Sequence, residues 1–234
     1  MTIATKTDGT LWMWGDNTYG GLGANLAGGM PYQKRSSPIQ VGTDTTWSTN
    51  IANGQGAAWA IKTNGTLWAW GNNQQYAALG LNQYGPGTNY SSPVQVGTNT
   101  TWSSLGAGSG QGGAVAAFKT DGTLWVWGRN NNGQLGQNSI NSPSSAGFSS
   151  PTQLPGTSWA SVSVGGAMLM ATKTDGTLWS WGYNNFGLLG HNDNTKRSSP
   201  TQIGTDTTWS QVSGKQRAGY IGVAIKTDGT MWAW

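Results

Sequence analysis

An all-β fold of repeated four-stranded units is what this sequence predicts, and three observations carry the prediction. A hairpin signature recurs five times at nearly even spacing. Further landmarks recur in phase with it. The residue types are those of short strands and tight turns, with 38 Gly and 15 Trp among 234 residues, abundant Thr, Ser and Asn, and no Glu.

The signature reads K-T-D-G-T-L-W-x-W, with small variations, and begins at Lys6, Lys62, Lys119, Lys173 and Lys226, at intervals of 56, 57, 54 and 53 residues. Asp-Gly between two strand-like runs (Asn64-Gly65 in the second copy) predicts a hairpin with a type I′ turn, in which both central residues have φ > 0. Period-two alternation puts the two Trp of each copy on one face, as at Trp179 and Trp181. A Gly-x-Asn…Leu-Gly loop follows each of the first four hairpins. Ser-Ser-Pro-x-Gln comes next, at Ser36, Ser91, Ser149 and Ser198, where Pro suits a strand start or an edge strand. A Thr/Ser-Trp segment then arrives at Trp47, Trp102, Trp159 and Trp209. Counting these two segments as strands gives about four strands in about 55 residues, the size of one β-propeller blade. Residues 1–234 are therefore expected to form a single repeat-array domain of about four and a half blades.

Fourteen of the fifteen Trp are repeat landmarks, Trp59 being the exception, so Trp is expected to pack blades. The repeat-equivalent position of five lysines points to blade geometry rather than to a nucleic-acid surface. The chain holds five hairpins but four of the Pro and Thr/Ser-Trp segments, so it is expected to belong to a larger ring or assembly.

The run from Lys119 to Gly136, with the following S-S-P-x-Q and T-T-W-S segments, resembles the regulator of chromosome condensation repeat, and the resemblance extends over nearly the whole chain. It implies a β-propeller, typically of seven blades. Members act as nucleotide-exchange factors, ubiquitin-ligase appendages, photoreceptors and enzyme inhibitors, and Thr/Asn/Gly-rich versions occur in bacterial surface and phage virion proteins. The resemblance therefore implies architecture more than activity. The second copy departs from the pattern, with Ala77-Ala78 where the others carry Gly20-Gly21, Gly133-Gln134 and Gly187-Leu188.

Residues for chemistry are scarce. With no Cys there is no disulfide or thiolate. The lone His191 has no second His, Cys or Glu to share a metal, and a triad would need it to find a Ser. Asp193 among Asn residues lacks the EF-hand pattern. Asp8, Asp121, Asp175 and Asp228 are turn residues. The glycine-rich stretch 106–110 lacks the Lys of a P-loop. No enzyme activity, cofactor, metal, nucleic acid or membrane insertion is expected, and residues 1–6 do not form a signal peptide.

Binding remains. Residues that differ between repeats belong to loops, here those between Leu-Gly and Ser-Ser-Pro. They nominate Tyr32, Lys34, Arg35, Tyr84, Tyr90, Phe148, His191, Lys196 and Arg197 as partner contacts. Lys215, Gln216, Arg217 and Tyr220 form a second divergent patch. The Thr/Asn/Gly/Ser bias suggests an extracellular or virion surface protein, of tail-fibre type, that binds a protein or a cell-surface glycan. The alternative is an intracellular regulatory propeller of the nucleotide-exchange or inhibitor type.

Overall fold

The computed structural model describes residues 1–25, 34–54, 56–106, 113–140, 147–215 and 221–234. Among these, eighteen strands form five antiparallel sheets, each packed on the next in sequence. Blade 1 holds β1 (Thr2–Thr5), β2 (Leu11–Gly15) and β3 (Arg35–Gln40). Blade 2 holds β4 (Trp47–Gly54), β5 (Ala57–Lys62), β6 (Leu67–Gly71) and β7 (Tyr90–Gln95). Blade 3 holds β8 (Trp102–Gly106), β9 (Ala114–Lys119), β10 (Leu124–Arg129) and β11 (Gly147–Gln153). Blade 4 holds β12 (Trp159–Val164), β13 (Met168–Lys173), β14 (Leu178–Gly182) and β15 (Arg197–Gln202). Blade 5 holds β16 (Trp209–Lys215), β17 (Ile221–Lys226) and β18 (Met231–Ala233).

In each four-stranded blade the Thr/Ser-Trp segment forms the inner edge strand, the hairpin forms the two middle strands, and the Ser-Ser-Pro segment forms the outer edge, where Pro breaks no ladder. The core lies between blades. The alternation of β5 divides its side chains, with Ala58 and Ala60 facing blade 1 and Ala57, Trp59 and Ile61 facing blade 3. Small residues on one side and large ones on the other set the spacing of two stacked sheets.

The hairpin turn differs from the expected type I′. Only its glycine, for example Gly9 at φ 77°, has positive φ; Asp8, Asn64, Asp121, Asp175 and Asp228 do not. Gly9 N–H donates to Lys6 O at 3.0 Å and Lys6 N–H to Thr10 O at 2.9 Å, a three-residue loop ending in a glycine bulge. The Asp side chain explains the choice. Asp8 Oδ1 accepts both the backbone N–H (3.0 Å) and the hydroxyl (2.6 Å) of Thr10, whose Oγ1 accepts the Trp12 indole N–H at 2.8 Å. The same relay recurs at Asn64, Asp121, Asp175 and Asp228. The repeated Asp thus ties turn to strand through its carboxylate rather than through a left-handed backbone.

Successive blades are joined by the second Trp of each hairpin. Trp70 donates to Gly21 O (2.9 Å), Trp127 to Ala78 O (2.8 Å), Trp181 to Gln134 O (2.9 Å) and Trp234 to Leu188 O (2.9 Å), each acceptor lying in the preceding blade's Gly-x-Asn…Leu-Gly loop. The loop Asn shapes that acceptor. Asn130 is buried, accepts Leu135 N–H at 2.9 Å and donates to Ser139 O at 3.0 Å, and Asn73 and Asn184 do the same in their blades. The Gly of Leu-Gly lies directly against the incoming indole, so a Cβ on Gly190 would come within 2.8 Å of Trp234 Nε1. Trp59, outside the repeat pattern, also donates to Ala78 O, at 3.0 Å.

Two stability predictions follow. Replacing Trp181 with Phe removes the bond to Gln134 O and leaves a void, and should cost about 2–3 kcal/mol in urea unfolding, whereas Trp179→Phe, at a half-buried ring, should cost about 1 kcal/mol. Ala77 has φ 55° where the other blades carry Gly. Ala77→Gly should therefore raise stability by about 0.5–1 kcal/mol in the same assay.

Candidate functional site

Because adjacent strands are antiparallel, each blade has two ends. One carries the Asp-Gly turns and the connectors into the next blade. The other carries the long loops between the second hairpin strand and the outer strand, and the expected partner residues fall in or beside these.

Of the nine residues, Tyr32 lies outside the described residues, as do Gln216, Arg217 and Tyr220 of the second patch. Lys34 is exposed and Arg35 half-buried at the start of β3. Tyr84 is 55% exposed. Tyr90 and Phe148 are half-buried and serve packing: Tyr90 touches the cores on both sides of its blade and accepts a hydrogen bond from Gln83 Nε2, and Phe148 packs on the core between blades 3 and 4. Arg197 forms a two-pronged ion pair with Asp193, at 3.0 and 2.7 Å. Lys196 is exposed, with Nζ 3.1 Å from Asn132 Oδ1 in blade 3 and 5.3 Å from the Tyr183 ring. The residues are thus spread one loop per blade along one end of the array. Ile140, 51% exposed in the blade 3 loop, was missed, although an Ile isolated among Asn and Ser outside any strand pattern was a readable signal.

His191 does find a serine. Its Nε2 lies 3.0 Å from Ser180 Oγ, but Ser180 is fully buried and donates its own proton to Leu189 O at 2.7 Å. The imidazole must then donate to the serine, which fixes the Nε2–H tautomer and leaves no base to activate the hydroxyl. Burial lowers the His191 pKa, aided by the Arg197 charge and opposed by Asp193. The pair closes the loop base. Among the described residues no three His or Asp gather as a metal site.

At the other end each repeat lysine lies against indoles. Lys62 Nζ stands 4.8 Å from the Trp47 ring centre and 4.0 Å from that of Trp68, and Lys173 stands 4.9 and 4.2 Å from Trp159 and Trp179. In blades 2 to 5 the two rings of the cage meet edge to face, as for Trp47 and Trp68 at 6.0 Å. The negative ring faces attract the ammonium, which accounts for the five equivalent lysines. In blades 2 and 5 a connector carboxylate completes the cage: Asp44 pairs with Lys62, and Asp206 with Lys226 at 2.5 Å. For Asp44, burial raises the pKa but hydrogen bonds from Lys62 and Thr46 outweigh it and bring it to about 2. For Asp206, bonds from Lys226 and Thr208 bring it to about 2.

A chain of stacked three- and four-stranded antiparallel sheets, each latched to the next through a loop carbonyl, is a tandem-repeat β-propeller array. Its repeats are similar to those of the regulator of chromosome condensation (RCC1) family, the model of which matches residues 121–172 and 175–214. The RCC1 domain-containing protein RUG3, mitochondrial, of Arabidopsis thaliana is 27% identical over 242 residues, covering all of this chain, which spans 51% of RUG3's length. Human WBSCR16 superposes with a TM-score of 0.80 at 18% identity, over 99% of this chain and 58% of that one. Prp20p of Saccharomyces cerevisiae, whose structure is described with its binding to Gsp1p and histones, superposes at 0.76 with 20% identity, over 91% of this chain and 51% of that one.

These relatives overturn the expected extracellular or virion location: RUG3, matched over the whole chain, is described as mitochondrial. The Thr/Asn/Gly/Ser bias has a structural origin instead: Asn shapes the loops, Thr completes the turn relay, and Gly supplies positive φ.

The native pKa values of Asp44 and Asp206 lie below the ordinary 3.8, so their contribution to stability is complete above about pH 4 and is lost as the pH falls toward 2. His191, held below its ordinary 6.5, adds a loss beginning below about pH 6.5, because the unfolded chain takes up that proton first. Acid unfolding followed by Trp fluorescence should show both, and a variant carrying Asp44→Asn and Asp206→Asn should have a shallower limb below about pH 4.

Proposed function

We propose that this chain is a non-catalytic, protein-binding propeller of the regulatory type, which meets its partner with the long-loop end of the blades. The observation that supports this reading is a division of labour. The repeated residues are engaged in latches, relays and cages, while the residues that differ between repeats leave Lys34, Tyr84, Ile140 and Lys196 exposed on four successive loops. Tyr is among the residue types enriched in interface hot spots. Repeat proteins place recognition on such variable loops. Prp20p, with the same fold, binds the proteins Gsp1p and histones, which favours a protein ligand. The buried, reversed Ser180–His191 pair speaks against hydrolysis at that loop.

A combined Tyr84→Ser, Ile140→Ser and Lys196→Glu variant tests the reading. It should unfold within about 1 kcal/mol of the parent, since the three side chains are exposed. Quantitative affinity purification should show it losing at least tenfold of the partner recovered with the parent chain. Undiminished recovery of every partner would overturn the assignment of the long-loop end. Nucleotide-release assays on a panel of small GTPases, with and without the chain, then separate an exchange factor from an inhibitor.

A further inference from the structure

Blade 3 breaks the charge pattern of the lysine cages. In blades 2 and 5 the connector reads Gly-Thr-Asp-Thr-Thr-Trp, and its Asp neutralises the caged lysine. In blade 3 it reads Gly97-Thr98-Asn99-Thr100-Thr101-Trp102, so a neutral amide stands where the carboxylate would be. Lys119 nevertheless keeps its cage, with Nζ 3.7 Å from the Trp125 ring centre and 5.1 Å from that of Trp102. Its residue is only 9% exposed, and it forms no ion pair among the described residues. Burial lowers its pKa, opposed by the charge of Asp121. Blade 4 also lacks the Asp, its connector being one residue shorter, but Lys173 there is only half-buried.

The difference coincides with a cleft. Between blades 2 and 3 a cavity of about 300 Å³ is lined by Asn82, Gln95, Asn99 and Ser150 and by the same two indoles, Trp102 and Trp125. The Trp102 indole N–H is buried without a protein acceptor, as are its counterparts in the other inner strands. Amide and hydroxyl donors and aromatic walls line this cleft, and the Lys119 ammonium, which has no ion pair among the described residues, lies against the same two rings; together they favour an anion.

We propose that this cleft binds a carboxylate, which takes at Lys119 the place that Asp44 and Asp206 take at Lys62 and Lys226. Asn99 and Gln95 supply amide donors to it, and Trp102 and Trp125 bound it. Asn99 and Gln95 belong to the connector side of the cleft and Asn82 to the blade 2 long loop, but none of Tyr84, Ile140 and Lys196 lines it, so it is tested separately from the protein-binding surface proposed above.

The test follows the indole ¹H–¹⁵N signals of Trp102 and Trp125, assigned by single Trp→Phe variants, during titration of the whole chain. Acetate and succinate represent a free acid, and a blocked Gly-Asp-Gly peptide represents an acidic side chain of a partner. Acetamide and blocked Gly-Asn-Gly are the neutral controls. Saturable shifts with either carboxylate probe, at least tenfold weaker with its neutral control, are expected; which probe binds more tightly identifies the source. Asn99→Asp should install the internal pair of blades 2 and 5, and so weaken the carboxylate probe at least tenfold while raising Tm. Lys119→Met should abolish the response, and if that variant misfolds, Asn99→Asp decides alone. No saturable shift with any carboxylate, or an affinity unchanged in Asn99→Asp, overturns the proposal.

Discussion

At each junction between successive blades a buried indole N–H of one blade meets a backbone carbonyl in the loop of the blade before it. An indole buried without an acceptor would cost about 1–3 kcal/mol, and a made bond contributes about 1 kcal/mol net, so the latch matters most through what its loss would leave behind. It also restricts the sequence on both sides. The acceptor must arrive at the right height, which requires the loop to close on its buried Asn, and the residue beside the indole must be Gly because a Cβ would collide with the ring. Gly-x-Asn…Leu-Gly and the second Trp of the hairpin are therefore one device written in two places about 50 residues apart.

That device explains how stability accumulates. A single blade has two apolar faces, and β5 buries Ala58 and Ala60 on one side and Trp59 and Ile61 on the other. The four cores lie between sheets, with none enclosed by a single sheet. Each interface adds packing and one latch, the nearest-neighbour arithmetic of repeat proteins. In the second blade Ala77 is left-handed, and Ala78 beside it accepts two indole N–H groups, those of Trp59 and Trp127. The nonstandard Trp59 and the nonstandard Ala-Ala loop thus meet at one carbonyl.

Most of the fold was legible because the repeat prints each structural role several times. Phase alone separated edge strands from hairpins and assigned fourteen Trp to packing. The turn type was misread because Asp-Gly reports a tight turn without saying whether the Asp side chain or its backbone makes it; the Thr two residues after the Asp was the missing clue, since its hydroxyl and N–H both bind the carboxylate. The candidate site was legible only as a set of loops. Tyr90 and Phe148 are aromatic residues close to the divergent loops, and sequence cannot distinguish an exposed ring from one folded back on the core. Composition misled most on location, because Asn, Thr and Gly were read as a surface vocabulary when each has a defined task inside the blade.

The same repetition that hides function in a sequence can expose it in a structure. When a position recurs in several blades, its environment in the others states what it requires, and a blade that fails to supply it stands out without any outside reference. The caged lysine is such a position. Cation–π attraction holds the ammonium in place in every blade, but it does not replace a counter-ion for a group taken out of water. Blades 2 and 5 supply an Asp, blade 4 leaves its lysine half-buried, and blade 3 buries its lysine without a paired carboxylate among the described residues. Asn99 preserves the connector's length and polarity while removing its charge, so the cage geometry is kept and the electrostatic demand is left at the edge of a cleft. A scaffold that needed only to fold would do better with Asp there, and the departure is physically coherent if the missing charge arrives with a ligand.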